Sequence, residues 1–301
     1  MSTVLVTCIY NKDYIHNESI GEPMPEMRWQ RFYNSLIYVA RTNVPVVIYT
    51  NKENVVFLQD FCEKNLPHKN FMVVEFDITQ LDIYARAEKI KRQNLELNPL
   101  VNRYPQLVLS KFSMVNHAMT NNLFNGERYF WIDAGLSYVS LMPKRYKTGG
   151  DYDWFGYSCF SPEFIKRLES YTTEKLFAVV FNAGQGSPYL SFCGIYNPEV
   201  HHEMADWYVI GGLWGGKKEK MLQNYNTYCE YFNKVADYWE ANNVAVHTRL
   251  FLEEPIFSAM VCNNKQDYEV QRFDTWYTED DWPSMPGIRT GRSFYKVITG
   301  E

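Results

Sequence analysis

The stretch TVLVTCIY, residues 3–10, is an apolar run rich in β-branched side chains that stops at Asn11-Lys12-Asp13. That composition and length predict a buried strand. Two further runs repeat it, VPVVIYT at 44–50 and NFMVVEF at 70–76. Between the first two lies EMRWQRFYNSLIYVAR, 26–41, with Trp29, Phe32/Tyr33, Leu36/Ile37 and Ala40 at helical spacing. A second helical segment, 52–65, separates the second and third runs. Strand, helix, strand, helix, strand predicts a parallel sheet with crossover helices, an α/β fold.

Further along, 80–98 is polar and charged, a helix or an excursion, and 106–124 has helical periodicity. RYFWIDAG, 128–135, predicts a fourth strand running into a turn. The stretch 143–190, with Pro143, Gly149-Gly150, Gly184, Gly186 and Pro188, is expected to be loops and short strands. Strand-like runs follow at 190–196, at 207–216 ending in a glycine turn, and at 268–273. Helices are expected at 217–241 and 251–263, and a loop-like tail at 283–296.

The 301 residues are 46% hydrophobic and 22% charged, which excludes disorder, collagen and coiled coil. The net charge of −5 makes a general binder of DNA backbone a poor fit and a nucleic-acid acceptor less favoured, though a local basic groove stays open. Aromatic residues, at 17%, suit either a ring-stacking cleft or an aromatic-rich core, and composition favours the core. Six cysteines without CxxC spacing read as reduced thiols. With no leader-like start and no apolar run near the ~20 residues of a membrane helix, a cytoplasmic protein without a transmembrane segment is expected.

In open α/β sheets, ligands sit beyond the carboxyl ends of the strands. Asn11, Asn51 and Asp133 are expected there, and the Thr7–Asn11 strand end with Tyr10 is the expected nucleotide-binding edge. Asp133 ends a strand, and Ala134-Gly135 lets the backbone turn away. Taken alone it reads first as an Asx-turn. Its chemical alternative is a ligand for a hard divalent cation that would hold a diphosphate. Gly211-Gly212, Trp214 and Gly215 in GGLWGG match neither nucleotide-binding glycine motif. They fit a strand-to-helix turn, or close backbone approach by a ligand with an indole surface for a sugar ring. Glu253-Glu254-Pro255 is good helix-start chemistry, and either acid alternatively serves as a general base. Lys111 reads as a solvated helix lysine or a point charge for a phosphate. Arg289, Arg292 and Lys296 lie between glycines and could close over an anion, while His201-His202 lack partners at metal-ligand spacing.

In order, LVTCIYN, RWQRFYNSL, PVVIYTN, LSKFSMVNHA, YFWIDAGLS, GGLWGG and LEEPIFSAM resemble the HtrL/YibB-like family, placed with GT-A-type glycosyltransferases. YFWIDAGLS is the most specific piece, and the resemblance covers roughly 3–265. It implies a GT-A-like, Rossmann-type mixed sheet flanked by helices, in one domain over 1–301. A nucleotide-sugar-binding half, 1–140, would be followed by an irregular acceptor-binding half with the tail, 141–301. It also implies a nucleotide-diphosphate sugar as donor and a glycan or lipid-linked glycan as acceptor. The usual Asp-x-Asp is here Asp133-Ala134-Gly135, so the second acid is missing, and no histidine follows His247. Mn²⁺ or Mg²⁺ on Asp133 is the expected cofactor, with the basic tail as its supplement. A nucleotide- or glycan-binding protein without catalysis is the alternative.

Overall fold

A computed structural model describes residues 2–11, 14, 26–93, 104–135, 160–182, 207–242 and 253–273. Among these, seven strands form one sheet: β1 (Thr3–Cys8), β2 (Val46–Thr50), β3 (Phe71–Glu75), β4 (Arg128–Ile132), β5 (Leu176–Asn182), β6 (Trp207–Lys217) and β7 (Tyr268–Phe273), in the order β3-β2-β1-β4-β6-β5-β7. β1 pairs in parallel with β2 and β4, β2 with β3, and β5 with β7. β6 alone is reversed, antiparallel to both β4 and β5. This is the mixed α/β sheet flanked by helices that the resemblance implies; the strand–helix rhythm alone predicts parallel strands, and β6 is the exception.

The helices are α1 (Glu26–Ala40), α2 (Val55–Asn65), α3 (Asp82–Gln93), α4 (Tyr104–Leu109), α5 (Lys111–Thr120), α6 (Pro162–Tyr171), α7 (Lys218–Asn242) and α8 (Glu253–Asn263). α1 buries Tyr33, Leu36 and Ala40, the three- and four-residue steps of its apolar stripe. β1, β2 and β4 are buried along nearly their whole length, as strands covered on both faces must be.

The structure corrects three expectations. The stretch 143–190, expected to be loops and short strands, contains the helix α6 and the seven-residue strand β5, which lies between β6 and the edge strand β7. The Ser161 hydroxyl caps α6 by accepting from the Phe164 N–H, and Pro162 opens the first turn. The single helix expected over 106–124 is divided at Ser110, whose hydroxyl donates back to the Gln106 carbonyl. Tyr228 on α7 donates to the Leu109 carbonyl at 3.0 Å, fixing the same joint. Finally, GGLWGG is no turn: all six residues lie inside β6. The run expected at 190–196 and the tail at 283–296 lie outside the described residues.

The core is strongly aromatic. Phe112 stacks between Trp214 and Tyr228, with ring centroids 4.1 and 4.0 Å away. Phe257 meets Phe112 and Trp214 edge-on. Such pairs contribute about 0.5–1.5 kcal/mol each beyond their buried area. Phe112 directly follows Lys111, so this stack anchors the start of α5 next to the carboxyl edge of the sheet.

Candidate active site

β6 has two different edges. Toward β4 it is regular, with Trp131 opposite Trp214 and Ile132 opposite Leu213. The Asp133 N–H extends this ladder by donating to the Gly212 carbonyl at 2.8 Å. Toward β5 the register breaks. Ala178 faces Trp214, yet Val180 faces Val209, so a two-residue step on β5 spans a five-residue step on β6. A bulge of this kind re-aims the backbone, and α8 takes up the donors it frees. The Val209 N–H donates to the Ser258 hydroxyl at 2.8 Å, and the Gly211 N–H to Glu254 Oε1 at 2.9 Å.

Gly211 is required for this approach. A Cβ there would stand 2.2 Å from Glu253 Oε1 and 3.2 Å from Glu254 Cγ. Gly211→Ala is therefore expected to push the start of α8 off β6. Overpacking of this sort costs about 1–3 kcal/mol. Urea unfolding measures it, and an unchanged midpoint would mean that α8 adjusts freely.

Four sequence segments converge at this point. Lys111, the first residue of α5, is buried, and its Nζ lies 2.5 Å from Glu253 Oε1 and 2.9 Å from Asp133 Oδ1. The same ammonium reaches the Gly211 carbonyl at 3.3 Å and lies 5.6 Å from the centre of the Trp131 ring. Trp131 Nε1 donates to Asp133 Oδ1 at 2.7 Å. Strand alternation places Trp131 and Asp133 on one face, so this bond follows from their spacing. Glu253 is sealed in, whereas the Asp133 side chain keeps 37% of its surface exposed. Asp133 is thus an outward-facing carboxylate held from behind by an ammonium and an indole N–H. Glu254 is half-buried and accepts from the Tyr208 hydroxyl at 2.6 Å.

Burial pushes the Glu253 carboxyl up to about 7; Lys111 pulls it back, and the charges of Glu254 and Asp133 push it further. Burial, and after it the charge of Asp133, also raises the Cys8 thiol above its ordinary value. Because Glu253 binds its proton more tightly when folded than its ordinary 4.5, the stability it contributes is full below about pH 4.5 and is lost as the pH rises through about 7. Melting temperature should fall across that window in the wild type and fall less in Glu253→Gln. Equal slopes in the two proteins would remove Glu253 from the account.

The other predicted residues fall elsewhere. Asn51 is buried; its Oδ1 accepts from the Asn11 N–H at 2.8 Å and its Nδ2 donates to Glu53. That amide closes the ends of β1 and β2. Tyr10, expected at the nucleotide edge, is fully buried and donates to the Phe76 carbonyl. Thr7 is fully buried in β1. Trp214, expected to offer a ring face to a sugar, is fully buried, and Phe112 covers that face. Gly215 serves strand pairing: a Cβ there would lie 2.3 Å from the Tyr129 carbonyl oxygen. Ala134 is buried, and Gly135 sits against the Phe32 ring, where a Cβ would be 2.7 Å from a ring carbon. Arg289, Arg292 and Lys296 lie outside the described residues. Trp131 and Tyr208, which orient the two acids, were not singled out by the sequence.

Among the described residues, no side-chain set built around Asp133 would by itself hold Mn²⁺ or Mg²⁺. Such ions collect several oxygen ligands. Among the described residues, no group of three or more His, Cys, Asp or Glu side chains is placed to hold a metal. The two acids that meet here, Asp133 and Glu253, meet at an ammonium. No helix of the described residues is long and apolar enough to cross a membrane.

No protein-family model matches the chain, and no curated protein matches it. Solved structures similar to it include mouse xyloside xylosyltransferase 1 in its apo form, at 8% identity and a TM-score of 0.47, over 90% of this chain and 85% of that one. Core-mannan synthase A of Aspergillus fumigatus in an Mn/GDP form is 11% identical, with a TM-score of 0.44, over 90% and 72%. The 4-diphosphocytidyl-2C-methyl-D-erythritol synthase of Anaerococcus prevotii is 12% identical, with a TM-score of 0.39, over 90% and 88%.

Proposed function

We propose that the chain is a glycosyltransferase that moves a sugar from a nucleotide-diphosphate donor to a hydroxyl of a glycan or similar acceptor. One observation carries the reading. An outward carboxylate, Asp133, stands at the carboxyl edge of parallel strands, and a buried ammonium and an indole N–H fix its orientation. That edge is where α/β sheets bind ligands. A carboxylate fixed in this way is preorganised to orient a sugar donor through its hydroxyl groups.

In an inverting transfer the acceptor oxygen attacks the sugar's anomeric carbon as the bond to the diphosphate breaks. The acceptor proton passes to a carboxylate, and the nucleoside diphosphate leaves with the electron pair. Glu253 is unsuited to take that proton, because it is buried and its Oε1 is held by Lys111. Glu254 also accepts at both oxygens, from the Tyr208 hydroxyl and the Gly211 N–H, but it is only half-buried and among the described residues no ammonium sits on it, which makes it the better base. Arg289 and Arg292 are proposed to bind the diphosphate through charge-assisted hydrogen bonds.

A panel of UDP-, GDP- and CMP-sugars tests this, with donor hydrolysis and thermal stabilisation read together. Turnover of one donor by the wild type, lost in Glu254→Gln with donor binding kept, is the expected result. Binding of a nucleotide sugar with no turnover under any condition would leave a binding protein instead.

A further inference from the structure

We infer that Lys111 stands in for a divalent cation at this site, its ammonium occupying a pocket whose oxygen ligands would otherwise hold a metal ion. Three groups surround Lys111 Nζ with four oxygens: Glu253 Oε1 at 2.5 Å, Asp133 Oδ1 at 2.9 Å and Oδ2 at 3.3 Å, and the Gly211 carbonyl at 3.3 Å. Two carboxylates and a backbone carbonyl are the ligand types of a hard cation. Ligand distances to such ions run about 2.0–2.6 Å, so small inward shifts of these three groups would suffice. The elements that carry them are firmly set. Asp133 is braced by Trp131, Gly211 by Glu254 and the bulge of β6, and Lys111 by the aromatic stack behind Phe112.

Unlike a bound divalent ion, an ammonium fixed to the chain cannot dissociate, and it brings one positive charge rather than two. Lys111 is then a positioning residue. It holds Asp133 aimed outward without any metal in solution. The inference rests on the transferase reading only for what that charge serves; the pocket itself is independent of it.

The experiment removes the ammonium and supplies a cation. Lys111→Ala, and Lys111→Met as the better-packed variant, are titrated with MnCl₂ without nucleotide. Bound Mn²⁺ is counted by electron paramagnetic resonance, melting temperature is followed in parallel, and circular dichroism confirms folding. The wild type should show no saturable Mn²⁺ effect. At least one Lys111 variant should bind Mn²⁺ at least 10-fold more tightly than wild type, with a rise of about 5 °C or more at saturation. Lys111→Ala/Glu253→Gln should lose that gain, because one carboxylate is gone. Saturable Mn²⁺ binding by the wild type, or no gain in a folded Lys111 variant, would overturn the inference.

A second arm uses the wild type alone, so it does not depend on the variants folding. UDP, GDP and CDP are titrated by calorimetry in EDTA and in MnCl₂. The tightest binder should keep its Kd within about twofold in EDTA. A diphosphate that binds only with Mn²⁺ would overturn the inference. If no diphosphate binds in either buffer, the transferase reading falls, and the Mn²⁺ titration alone decides the role of Lys111.

Discussion

Asp133→Asn is expected to lower turnover by roughly 10²–10³-fold, the usual consequence of deleting one preorganised polar group from an active site. The protein should stay folded. The asparagine oxygen can still accept from Trp131 Nε1 and from Lys111, and Lys111 keeps Glu253 as its closer partner. The Asp133 side chain is also more than a third exposed, so water compensates much of the lost charge. The substitution therefore separates two uses of one residue. An Asx-turn that only closes a strand would tolerate asparagine with its turnover intact. Steady-state kinetics on the best donor, with circular dichroism as the folding control, reads the difference, and turnover near wild type would end the catalytic assignment.

The largest stability effect should come from Lys111→Leu. Glu253 would then be buried beside Asp133 with no counter-charge. Breaking one side of a buried ion pair costs about 3–5 kcal/mol, whereas replacing both sides by apolar groups is often near neutral. Lys111→Leu/Glu253→Leu should accordingly recover most of what the single variant loses. A residue of about 1 kcal/mol should remain, because the Gly211 carbonyl loses a donor, although Trp214 Nε1 still reaches it at 3.2 Å. Urea unfolding of the wild type and the two variants gives the comparison. A double variant no more stable than the single one would show that packing around Lys111, and not charge, sets the cost.

The first half of the fold is legible because its strands are short apolar runs flanked by polar loops, and its helices carry their own period. The same logic fails at LFAVVFN, where β5 is apolar up to its final Asn182 and is followed by glycine-rich sequence that hides its end. It fails again at GGLWGG, where paired glycines suggest a turn. In the structure they let one strand run straight along β4, bulge away from β5 and admit α8. Ser161-Pro162-Glu163 is a helix-start signal of the ordinary kind, but it lies inside a stretch whose glycines and prolines dominate the reading. At the site, Lys111, Asp133 and Glu253 each carry a recognisable local signal. Their meeting does not, since it is made by three elements far apart in the chain. Local sequence therefore gives Lys111 and Glu253 two separate readings, phosphate charge and general base, when each is the other's partner. The aromatic excess has a similar history. Its surface use, with Trp214 against a sugar ring, gives way to a stacked core because Phe112 is already there.

The bond from Trp131 to Asp133 also has a spectroscopic consequence. Indole emission depends on what its N–H donates to and on charges beside its ring. Trp131 donates to the carboxylate of the site and has the Lys111 ammonium 5.6 Å from its ring centre. Whatever draws on Asp133 or displaces Lys111 alters both influences together. The chain has eight tryptophans, so Trp131→Phe supplies the difference spectrum that isolates this one. The protein carries its own optical reporter at the place where its chemistry is proposed, and ligand titrations can be followed there without a label.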